Sequence, residues 1–301
     1  MVQEVLEELQ CQPDRTYVDA TVGLGGHAEA ILRQSSPTGR LIGLDQDPAN
    51  LAKARSRLQP FGSRVLLFHR NFTQLSEVLE KCRLSAVAGI LLDLGLSLEQ
   101  LKVSGRGFSF GGDEILDMRM NPEAGTQTAA DLLNTLSEAD LSRLFWELGE
   151  ERWARRIARR VVQTRQQRPY LTTSQLVQTV FQAIPVKPAS RRLHPATRVF
   201  QALRLAVNEE LPRLGAFLPE AITSLAPQGR LVVIAYHSLE DRLVKRALQQ
   251  AEKAGVVQRC QKKPRTPTMA EVRANPSARS AKLRSASKTA PAGQTFLREV
   301  V

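Results

Sequence analysis

The sequence predicts a doubly wound α/β fold, in which helices cover both faces of a parallel sheet and an all-helical domain is inserted after the fourth strand. Two observations come from the apolar segments. Short, continuously apolar segments alternate with helical patterns in the first third of the chain, and a fifth such segment appears only near residue 230. The third observation is that the intervening stretch has helical periodicity rather than loop composition.

The core elements follow one another in a regular order. Strands are predicted at residues 16–20, 40–45, 65–69 and 86–93, and helices at residues 28–34, 48–58 and 72–81. The fifth strand, residues 230–236, follows a turn-like Pro-Gln-Gly sequence. From Lys262 onward, the abundance of Pro, Ser, Ala and basic residues predicts disorder or a linker.

The stretch between the fourth and fifth strands predicts further helices, at residues 128–148, 150–168, 173–181 and 196–218. The second of these places Trp153, Ile157 and Val161 on one face and arginines on the others. A chain of 301 residues exceeds the usual length of one domain. We therefore expect a core formed by residues 1–104 and 201–301, the latter including a basic C-terminal segment, and an inserted helical domain at residues 105–200.

Positive charge is concentrated in two segments. The chain carries 42 Lys and Arg against 30 Asp and Glu, a net charge of +12. Residues 255–301 hold ten basic side chains against two acidic ones, and residues 151–168 hold seven arginines against one glutamate. These excesses of +8 and +6 exceed the net charge, so the rest of the chain is slightly acidic. Two concentrated blocks favour contact with the phosphates of a polyanion over a diffuse basic surface.

Cysteine usage and hydropathy exclude several protein classes. Cys11, Cys82 and Cys260 are odd in number and far apart, which argues against a disulfide framework or a CxxC metal site and indicates a reducing compartment. No apolar run approaches the roughly 18 residues of a membrane span, and the N-terminus is acidic and amphipathic, unlike a signal peptide. We expect a soluble cytoplasmic protein that binds no metal and no membrane.

A glycine-rich loop follows the first strand and precedes a helix, which is where open α/β sheets bind nucleotide-like ligands. It reads Asp-Ala-Thr-Val-Gly-Leu-Gly-Gly-His over residues 19–27. Gly23, Gly25 and Gly26 allow the backbone to approach a ligand and expose amide groups at the helix start. Because the loop also satisfies the relaxed GxGxxA pattern, a nicotinamide-dependent oxidoreductase is a competing interpretation.

Acidic residues next to the loop help to choose between these ligands. Asp45 ends the second strand, where the ribose hydroxyls of either cofactor would lie; alternatively, it is an acid of the following helix turn. Asp19 stands just before the glycines, where it would accept a hydrogen bond from an ammonium group and repel a pyrophosphate. His27 is a further candidate for cofactor binding, or a helix-start residue with local partners.

Candidate catalytic residues lie after the fourth and fifth strands. Asp93 ends the fourth strand, which in a doubly wound sheet faces the reacting centre, so we expect it to contact the cofactor or the acceptor. A buried strand that ends in an acid favours a functional role over a structural cap. His237 and Ser238 follow the fifth strand and are second candidates; alternatively, Ser238 caps the next helix.

A series of segments runs in order over nearly the whole chain and together is recognisable. The segments are DATVGLGGH (19–27), GRLIGLDQDP (39–48), GILLDLGLS (89–97), RGFSF (106–110), LDMRMNP (116–122), HPATRVFQALRLAVNEEL (194–211), HSLEDRLVK (237–245) and NPSARSAKLR (275–284). This set resembles the RsmH family, also called MraW. The family comprises methyltransferases that act on the exocyclic N4 of a cytidine in the decoding centre of small-subunit ribosomal RNA.

The resemblance implies a class I, Rossmann-like methyltransferase fold, an inserted helical domain that helps to receive RNA, and S-adenosyl-L-methionine as cofactor. On the matching positions, the family's cofactor contacts fall on Gly25, Gly26, His27, Asp45, Phe72, Asp93 and Gln100. Residues 275–284 match a family segment, so the resemblance also implies that the basic tail belongs to the fold or to the RNA surface.

Methyl transfer to an exocyclic amine can proceed by direct in-line displacement at the sulfonium carbon, without a covalent nucleophile. Methylation at cytosine C5 would require a cysteine poised to attack the ring, and none of the three cysteines stands at a strand end near the cofactor loops. Asp93 is the candidate for orienting the cofactor or the amino group.

The expected partner is small-subunit ribosomal RNA, within an assembled or nearly assembled small subunit. The arginines expected to hold its phosphates are Arg155, Arg159, Arg191, Arg192 and Arg198; alternatively, each belongs to a solvated helix face. A noncatalytic RNA-binding factor that retains an α/β core is a third interpretation. The sequence leaves the oligomeric state open, a homodimer included.

Overall fold

The computed structural model describes residues 1–185 and 194–290 of the chain. It divides the chain into two compact units, the first formed by Met1–Gly95 with Leu211–Val301 and the second by Leu96–Glu210. The predicted domain boundaries after residues 104 and 200 therefore fall inside the second unit. Each unit has its own hydrophobic core.

A seven-stranded sheet forms the centre of the first unit. Its strands are β1 (Thr16–Asp19), β2 (Arg40–Asp45), β3 (Val65–His69), β4 (Val87–Asp93), β5 (Leu225–Ala235), β6 (Val257–Arg259) and β7 (Lys282–Lys288). They lie in the order β3-β2-β1-β4-β5-β7-β6. The first five are parallel, and β7 pairs antiparallel with β5 and β6. The predicted class I α/β fold is confirmed.

Helices cover both faces of this sheet because the central strands are apolar on both faces. The helices of the unit are α1 (Val2–Leu9), α2 (Gly26–Gln34), α3 (Pro48–Leu58), α4 (Leu75–Lys81), α11 (Glu210–Thr223), α12 (Ser238–Lys253) and α13 (Met269–Ala274). Consecutive residues of a strand join different cores: Ile90 packs in the cluster that contains α4, α11 and α12 residues, and Leu91 in the cluster that contains α1, α2 and α3 residues. Both side chains are fully buried.

Two parts of the first unit differ from the sequence-based predictions. The turn predicted before the fifth strand lies within β5, as an irregularity at which the pairing with β4 jumps from Leu225 to Arg230. The predicted disorder beyond Lys262 is wrong for the described residues up to 290, because β7 supplies the antiparallel partner of β5. As the resemblance implied, residues 275–284 are part of the fold.

The second unit is helical. It contains α5 (Leu98–Lys102), α6 (Ala129–Thr135), α7 (Glu138–Glu147), α8 (Ala154–Gln167), α9 (Thr173–Ala183) and α10 (Thr197–Val207). As predicted, Ile157 and Val161 of α8 are fully buried, whereas Trp153 is half-buried. Helix α10 packs against α6 and α7, which is why the unit extends past residue 200.

Two of the predicted long helices are each broken by a local backbone conformation. The helix predicted at 128–148 ends at Thr135, because Leu136 is extended and the Ser137 side chain caps α7. The helix predicted at 196–218 is interrupted at Glu209, whose φ is 50°. The preceding residue, Asn208, is buried and bonds the backbone of Met118 and Met120. Polar side chains thus set both breaks, within patterns that are periodic throughout.

Candidate active site at the carboxyl edge of the parallel sheet

Three aspartates end strands of the parallel sheet on the same edge. Asp19, Asp45 and Asp93 are the last residues of β1, β2 and β4. Parallel neighbours present their carboxyl ends to one side, which is where ligands bind in open α/β sheets. Asp19 is 1% exposed and Asp45 is 9% exposed. The edge is therefore both acidic and largely removed from water.

Asp45 anchors the glycine loop. Its Oδ2 accepts a hydrogen bond from the Gly23 amide at 2.8 Å, and its Oδ1 accepts one from the Asp47 amide at 2.8 Å. Burial raises the pKa of Asp45 to about 6, although these amide hydrogen bonds act against the rise. Asp47, rather than Asp45, caps α3, since its side chain accepts from Ala49. The role of a helix-turn acid therefore belongs to Asp47.

The glycine-rich loop places its glycines in different local surroundings. Gly25 is the N-cap of α2 with φ 81°, and a Cβ there would lie 3.4 Å from the backbone of Ala54 in α3. That distance is ordinary van der Waals contact, so the positive φ is what favours glycine at this position, and its contact with a cofactor stays a prediction. Gly23 also has a positive φ, 52°, but a Cβ there would meet only the Thr21 carbonyl oxygen, at 3.8 Å. Gly23 and Gly26 both have open space beside them, since a Cβ at Gly26 would meet only the end of the Arg57 side chain, at 3.7 Å.

Asp93 is held by a network of polar groups. Its Oδ1 accepts a hydrogen bond from the Tyr236 hydroxyl at 3.0 Å, and its Oδ2 lies 3.3 Å from His27 Nε2. The Asp93 amide donates to the Thr21 hydroxyl at 2.8 Å. Both carboxylate oxygens thus have fixed directions. The pKa of Tyr236 is raised by burial and by the neighbouring Asp93, so its hydroxyl stays protonated as a donor.

His27 is buried beside two carboxylates. Burial opposes its charged form, but the hydrogen bond to Asp93 and the charges of Asp93 and Asp19 together raise the pKa of His27. Its Nδ1 is buried and has no hydrogen-bond partner within the described chain. A purely local role at the helix start is therefore not what the geometry shows, because the ring points into the acidic edge.

Asp19 has one incompletely paired carboxylate. Its Oδ1 accepts only a long hydrogen bond of 3.3 Å from the Thr21 amide. Its Oδ2 is buried and finds no donor among residues 1–185 and 194–290. Burial raises the pKa of Asp19 to about 7; the charge of His27 opposes the rise and that of Asp93 adds to it. A buried carboxylate oxygen without a donor is unfavourable, so the position suits a cationic ligand group.

His237 caps α12. Its Nδ1 accepts from the Glu240 amide at 3.4 Å, and Glu240 Oε2 accepts from the His237 amide at 3.3 Å. This capping box favours the helix-cap interpretation, with His237 rather than Ser238 in the cap position. Ser238 is the first residue of the helix. The residue before His237, Tyr236, donates a hydrogen bond to Asp93.

Sequence reasoning missed Tyr236 and Thr21. The register of β4 and β5 pairs Asp93 with Ile234, and Tyr236 lies two residues beyond, on the same face by strand periodicity. The polar end of an otherwise apolar strand was the available signal. Thr21 carried no such signal, because its contact with the Asp93 amide depends on the path of the loop.

The remaining cofactor candidates lie at two places. Phe72 opens the 3-10 turn after β3 and packs edge-on against Phe217, with ring centroids 5.1 Å apart. Gln100 lies in α5 of the helical unit and is 4% exposed. It forms a capping box with Ser97, in which its backbone N–H donates to the Ser97 hydroxyl at 3.1 Å. A local structural reason therefore exists for each residue.

Two of the candidate RNA-binding arginines share the exposed face of α8. Arg155 and Arg159 are exposed and line one groove of the helical unit. Arg159 lies 3.6 Å from Glu138 in an ion pair whose side chains are both well exposed. Such a pair contributes little stability, so Arg159 can exchange it for a phosphate.

The other three candidates are less informative. Arg198 is exposed, but its guanidinium donates to the Glu150 carbonyl at 2.8 Å and so supports the turn before α8. Arg191 and Arg192 lie outside the described residues.

Four of the ten basic side chains in the C-terminal block form ion pairs within the described part of the first unit. The pairs are Arg259 with Glu252, Arg265 with Glu7 and Glu8, and both Lys282 and Arg284 with Asp241. These contacts attach the chain end to α1 and α12. The block therefore has a structural role that its composition did not indicate.

Across the described ranges, no helix has both the length and the apolar character needed to cross a bilayer. In the same part of the chain, no three His, Cys, Asp or Glu side chains are grouped so that they could hold a metal ion.

Comparison with known proteins now decides the family. A family model described as the MraW methylase family matches residues 1–289. The chain belongs to the MraW methylase family. A relative from Desulfosudis oleivorans, called ribosomal RNA small subunit methyltransferase H, is 48% identical over 304 aligned positions, which cover 96% of this chain and 97% of that protein. A relative of the same name from Heliobacterium mobile is 46% identical, with the same coverage of both chains.

Solved structures share little sequence with the chain. An rRNA methylase from Streptococcus thermophilus matches at a TM-score of 0.45 and 11% identity, covering 96% of this chain and 94% of that one. TrmN from Thermus thermophilus matches at a TM-score of 0.46 and 13% identity, covering 95% of this chain and 48% of that one.

Membership of a methylase family fixes the cofactor as S-adenosyl-L-methionine. The residues at the edge of the sheet fit this cofactor on one direct observation. S-adenosylmethionine carries an ammonium group, and Asp19 Oδ2 is a buried acceptor for which the described residues provide no donor. A nicotinamide dinucleotide would instead bring a pyrophosphate toward this carboxylate, and so fits poorly.

The coupling between His27 and Asp93 gives a prediction about titration. Asp93→Asn removes the charge that favours the imidazolium, so the pKa of His27 should fall. In the unaltered protein, a His27 pKa raised above 6.5 favours the folded state below that pH, and this contribution is lost as the pH rises through the raised value. An NMR titration of the imidazole protons measures the change. Asp241→Asn, which breaks ion pairs elsewhere in the same unit, is the control and should leave His27 unchanged. A His27 pKa that stays the same in Asp93→Asn would contradict the coupling.

Proposed function

We propose that the chain transfers a methyl group from S-adenosyl-L-methionine to the exocyclic N4 of one cytidine in the decoding centre of small-subunit ribosomal RNA. The observation that carries the proposal is the buried Asp19 Oδ2, which has no donor among the described residues and lies beside Asp93 and His27 at the edge where this fold binds its ligands. The relatives' printed name supports RNA of the small subunit as the substrate. The resemblance supplies the base and the atom.

Cofactor binding is assigned to residues of the loop and the strand ends. Asp19 accepts the ammonium group, Asp45 accepts from the ribose hydroxyls, and Gly23, Gly25 and Gly26 let the loop backbone approach the cofactor. Asp45 can serve a ligand while it holds the loop, because a carboxylate offers about four lone-pair sites. The family resemblance adds Phe72 and Gln100. When bound, the cofactor supplies an electrophilic methyl group on sulfonium sulfur.

Asp93 is assigned the orientation of the acceptor amine. Tyr236 and His27 fix its two oxygens, and each oxygen retains a further lone pair for an N–H donor. An amine that donates to Asp93 directs its own lone pair away from the ring, toward the methyl group. As the nitrogen–carbon bond forms, the sulfur–carbon bond breaks and one amine proton is lost. The Asp93 carboxylate beside His27 is placed to receive that proton.

The cysteines argue against chemistry at C5. That reaction needs a thiolate to add to the base, and burial raises the pKa of Cys11 to about 12 and also raises the pKa of Cys82. Cys260 lies beside β7 and approaches Arg230. Direct transfer to an amine requires no such nucleophile.

The substrate prediction follows from the arginine-rich surface of α8, which lies outside the acidic candidate active site. A free nucleoside needs no arginine-rich surface, so turnover of cytidine should be negligible. Small subunits that lack the modification should be better substrates than naked rRNA, because a preformed, exposed nucleotide spares unstacking costs of roughly a few kcal/mol. The measurement offers purified protein and labelled cofactor equal amounts of nucleoside, naked rRNA and undermodified subunits, followed by mass mapping of the product.

Each alternative has its own result in that experiment. Label on C5, or equal labelling of all three substrates, would contradict the proposal. Binding of RNA without any transfer would favour a noncatalytic factor. Thermal protection by NAD rather than by S-adenosylhomocysteine would favour an oxidoreductase.

The raised pKa of Asp19 predicts a pH dependence of cofactor binding. With a pKa of about 7, Asp19 is largely protonated at pH 6 and must lose its proton to pair with an ammonium group. Affinity for S-adenosylhomocysteine should therefore rise between roughly pH 6 and 7.5, with proton release on binding. Calorimetry in two buffers of different ionisation enthalpy measures both effects.

Asp19→Asn should bind more weakly and lose most of this pH dependence. Asp45→Asn is the matched variant: it removes the carboxylate with a pKa of about 6 and should keep the step near pH 7. An Asp19→Asn protein with the same pH profile as the unaltered protein would refute the assignment of the ammonium group to Asp19.

The arginines of α8 give a prediction about RNA. Reversing Arg155 and Arg159 to glutamate should weaken RNA binding, lower the slope of log affinity against log salt by roughly 1 to 2, and spare cofactor affinity. Reversal of the exposed Arg40 and Arg55 in the other unit is the charge-matched control. An unchanged salt slope would show that Arg155 and Arg159 form only a solvated helix face.

A further inference from the structure

A groove between α7 and the start of α8 combines aromatic and guanidinium groups. It has a volume of about 980 Å³. Its basic and aromatic lining is Arg143, Arg152, Arg155, Arg156, Arg159, Trp146 and Trp153. All of these residues belong to the helical unit, and none of the aspartates of the candidate active site lines the groove. It is therefore a second site, separate in its residues from the place of methyl transfer.

The groove is strongly positive. Glu138 is the acidic residue among its lining side chains, against five arginines. The two nearest ion pairs, Arg159 with Glu138 and Arg143 with Asp140, join exposed side chains. Exposed pairs of this kind are screened by water and contribute little free energy. The arginines can therefore exchange these partners for phosphate oxygens.

The two tryptophans have different surroundings. Arg152 and Arg156 lie over the ring of Trp153, with their guanidinium carbons 5.2 and 5.7 Å from its centroid. These cation–π contacts hold the two arginines in position and occupy Trp153. Trp146 is 61% exposed, which is unusual for the largest apolar side chain. Its ring is the surface in this groove that remains open to a planar ligand.

We propose that this groove binds an unpaired nucleotide of the RNA substrate, with the base stacked on Trp146 and the neighbouring phosphates held by arginines, at a site distinct from that of the methylated cytidine. The inference rests on the proposed function only in taking RNA as the substrate. A base within a duplex has both faces covered by its neighbours, so an open tryptophan face selects unpaired nucleotides. An acidic peptide would satisfy the arginines but would leave the Trp146 ring without a stacking partner.

The test is the binding of a fluorescein-labelled, unstructured RNA dodecamer, measured by anisotropy, compared with the same sequence annealed to its complement. Trp146→Ala should weaken binding of the single strand about 10-fold, since a stacked base contributes in that range, and should leave duplex binding within about 2-fold. Trp146→Phe should retain most of the affinity, because it keeps an aromatic face. Leu171→Ala, which removes an apolar side chain that is 58% exposed elsewhere on the unit, is the control and should have no effect.

The proposal would be overturned if Trp146→Ala lost the same affinity for single strand and for duplex, or lost no affinity at all. It would also be overturned if poly-glutamate displaced the RNA as readily from Trp146→Ala as from the unaltered protein. Because Trp146 is exposed, its replacement should leave the circular dichroism spectrum unchanged. The proposed function is assessed separately, by the S-adenosylhomocysteine affinity and the N4 methylation of small subunits measured with the unaltered protein. If the unaltered protein methylates N4 but Trp146→Ala leaves RNA binding unchanged, only the groove proposal is contradicted. If the unaltered protein does not methylate N4, the proposed function is contradicted even if the groove binds RNA.

Discussion

Burial of carboxylates at one edge of the parallel sheet is the constraint on which the candidate site depends. Charged groups removed from water must be paired or bonded, or their pKa values shift toward the neutral form. Asp45 meets this demand with the amides of Gly23 and Asp47, and Asp93 meets it with the Tyr236 hydroxyl and the His27 ring. Asp19 does not, and its pKa of about 7 records the unmet cost. A cofactor with an ammonium group would offset the free-energy cost of burying the Asp19 carboxylate. The burial that is unfavourable for folding would therefore contribute to cofactor affinity.

The same constraint explains why the loop is rich in glycine. The backbone must turn sharply enough for the Gly23 amide to reach Asp45 while α2 begins against α3. Gly25 and Gly23 both have a positive φ, 81° and 52°, which residues with a side chain rarely adopt. A sequence pattern reports both as glycines of one motif. The structure adds that a Cβ at Gly25 would lie in van der Waals contact with α3, whereas at Gly23 it would meet only a carbonyl oxygen.

Much of the fold was predictable because its signals are local. Continuous apolar runs identified the five parallel strands, and the acids at their ends were found because parallel strands share an edge. The helix breaks at Leu136 and Glu209 were missed, since caps and a single residue with positive φ interrupt patterns that stay periodic. The order in which β7 enters the sheet depends on pairing with β5, far away in sequence. Tyr236 and the capping role of His237 likewise depend on tertiary register and geometry.

Charge composition was informative only after the partners of each basic residue were known. Both basic blocks favoured RNA from the sequence, yet Arg259, Arg265 and Arg284 are committed to carboxylates of their own unit. Because breaking these pairs would lower the stability of the folded state, the three arginines are poorly suited to exchange their carboxylate partners for phosphate. On α8 the arginines either lack strong acidic partners or are held against Trp153. The two segments therefore differ in their surroundings: four cations of the C-terminal block are paired with carboxylates of the first unit, whereas the arginines of the other block lie at the surface beside the exposed Trp146.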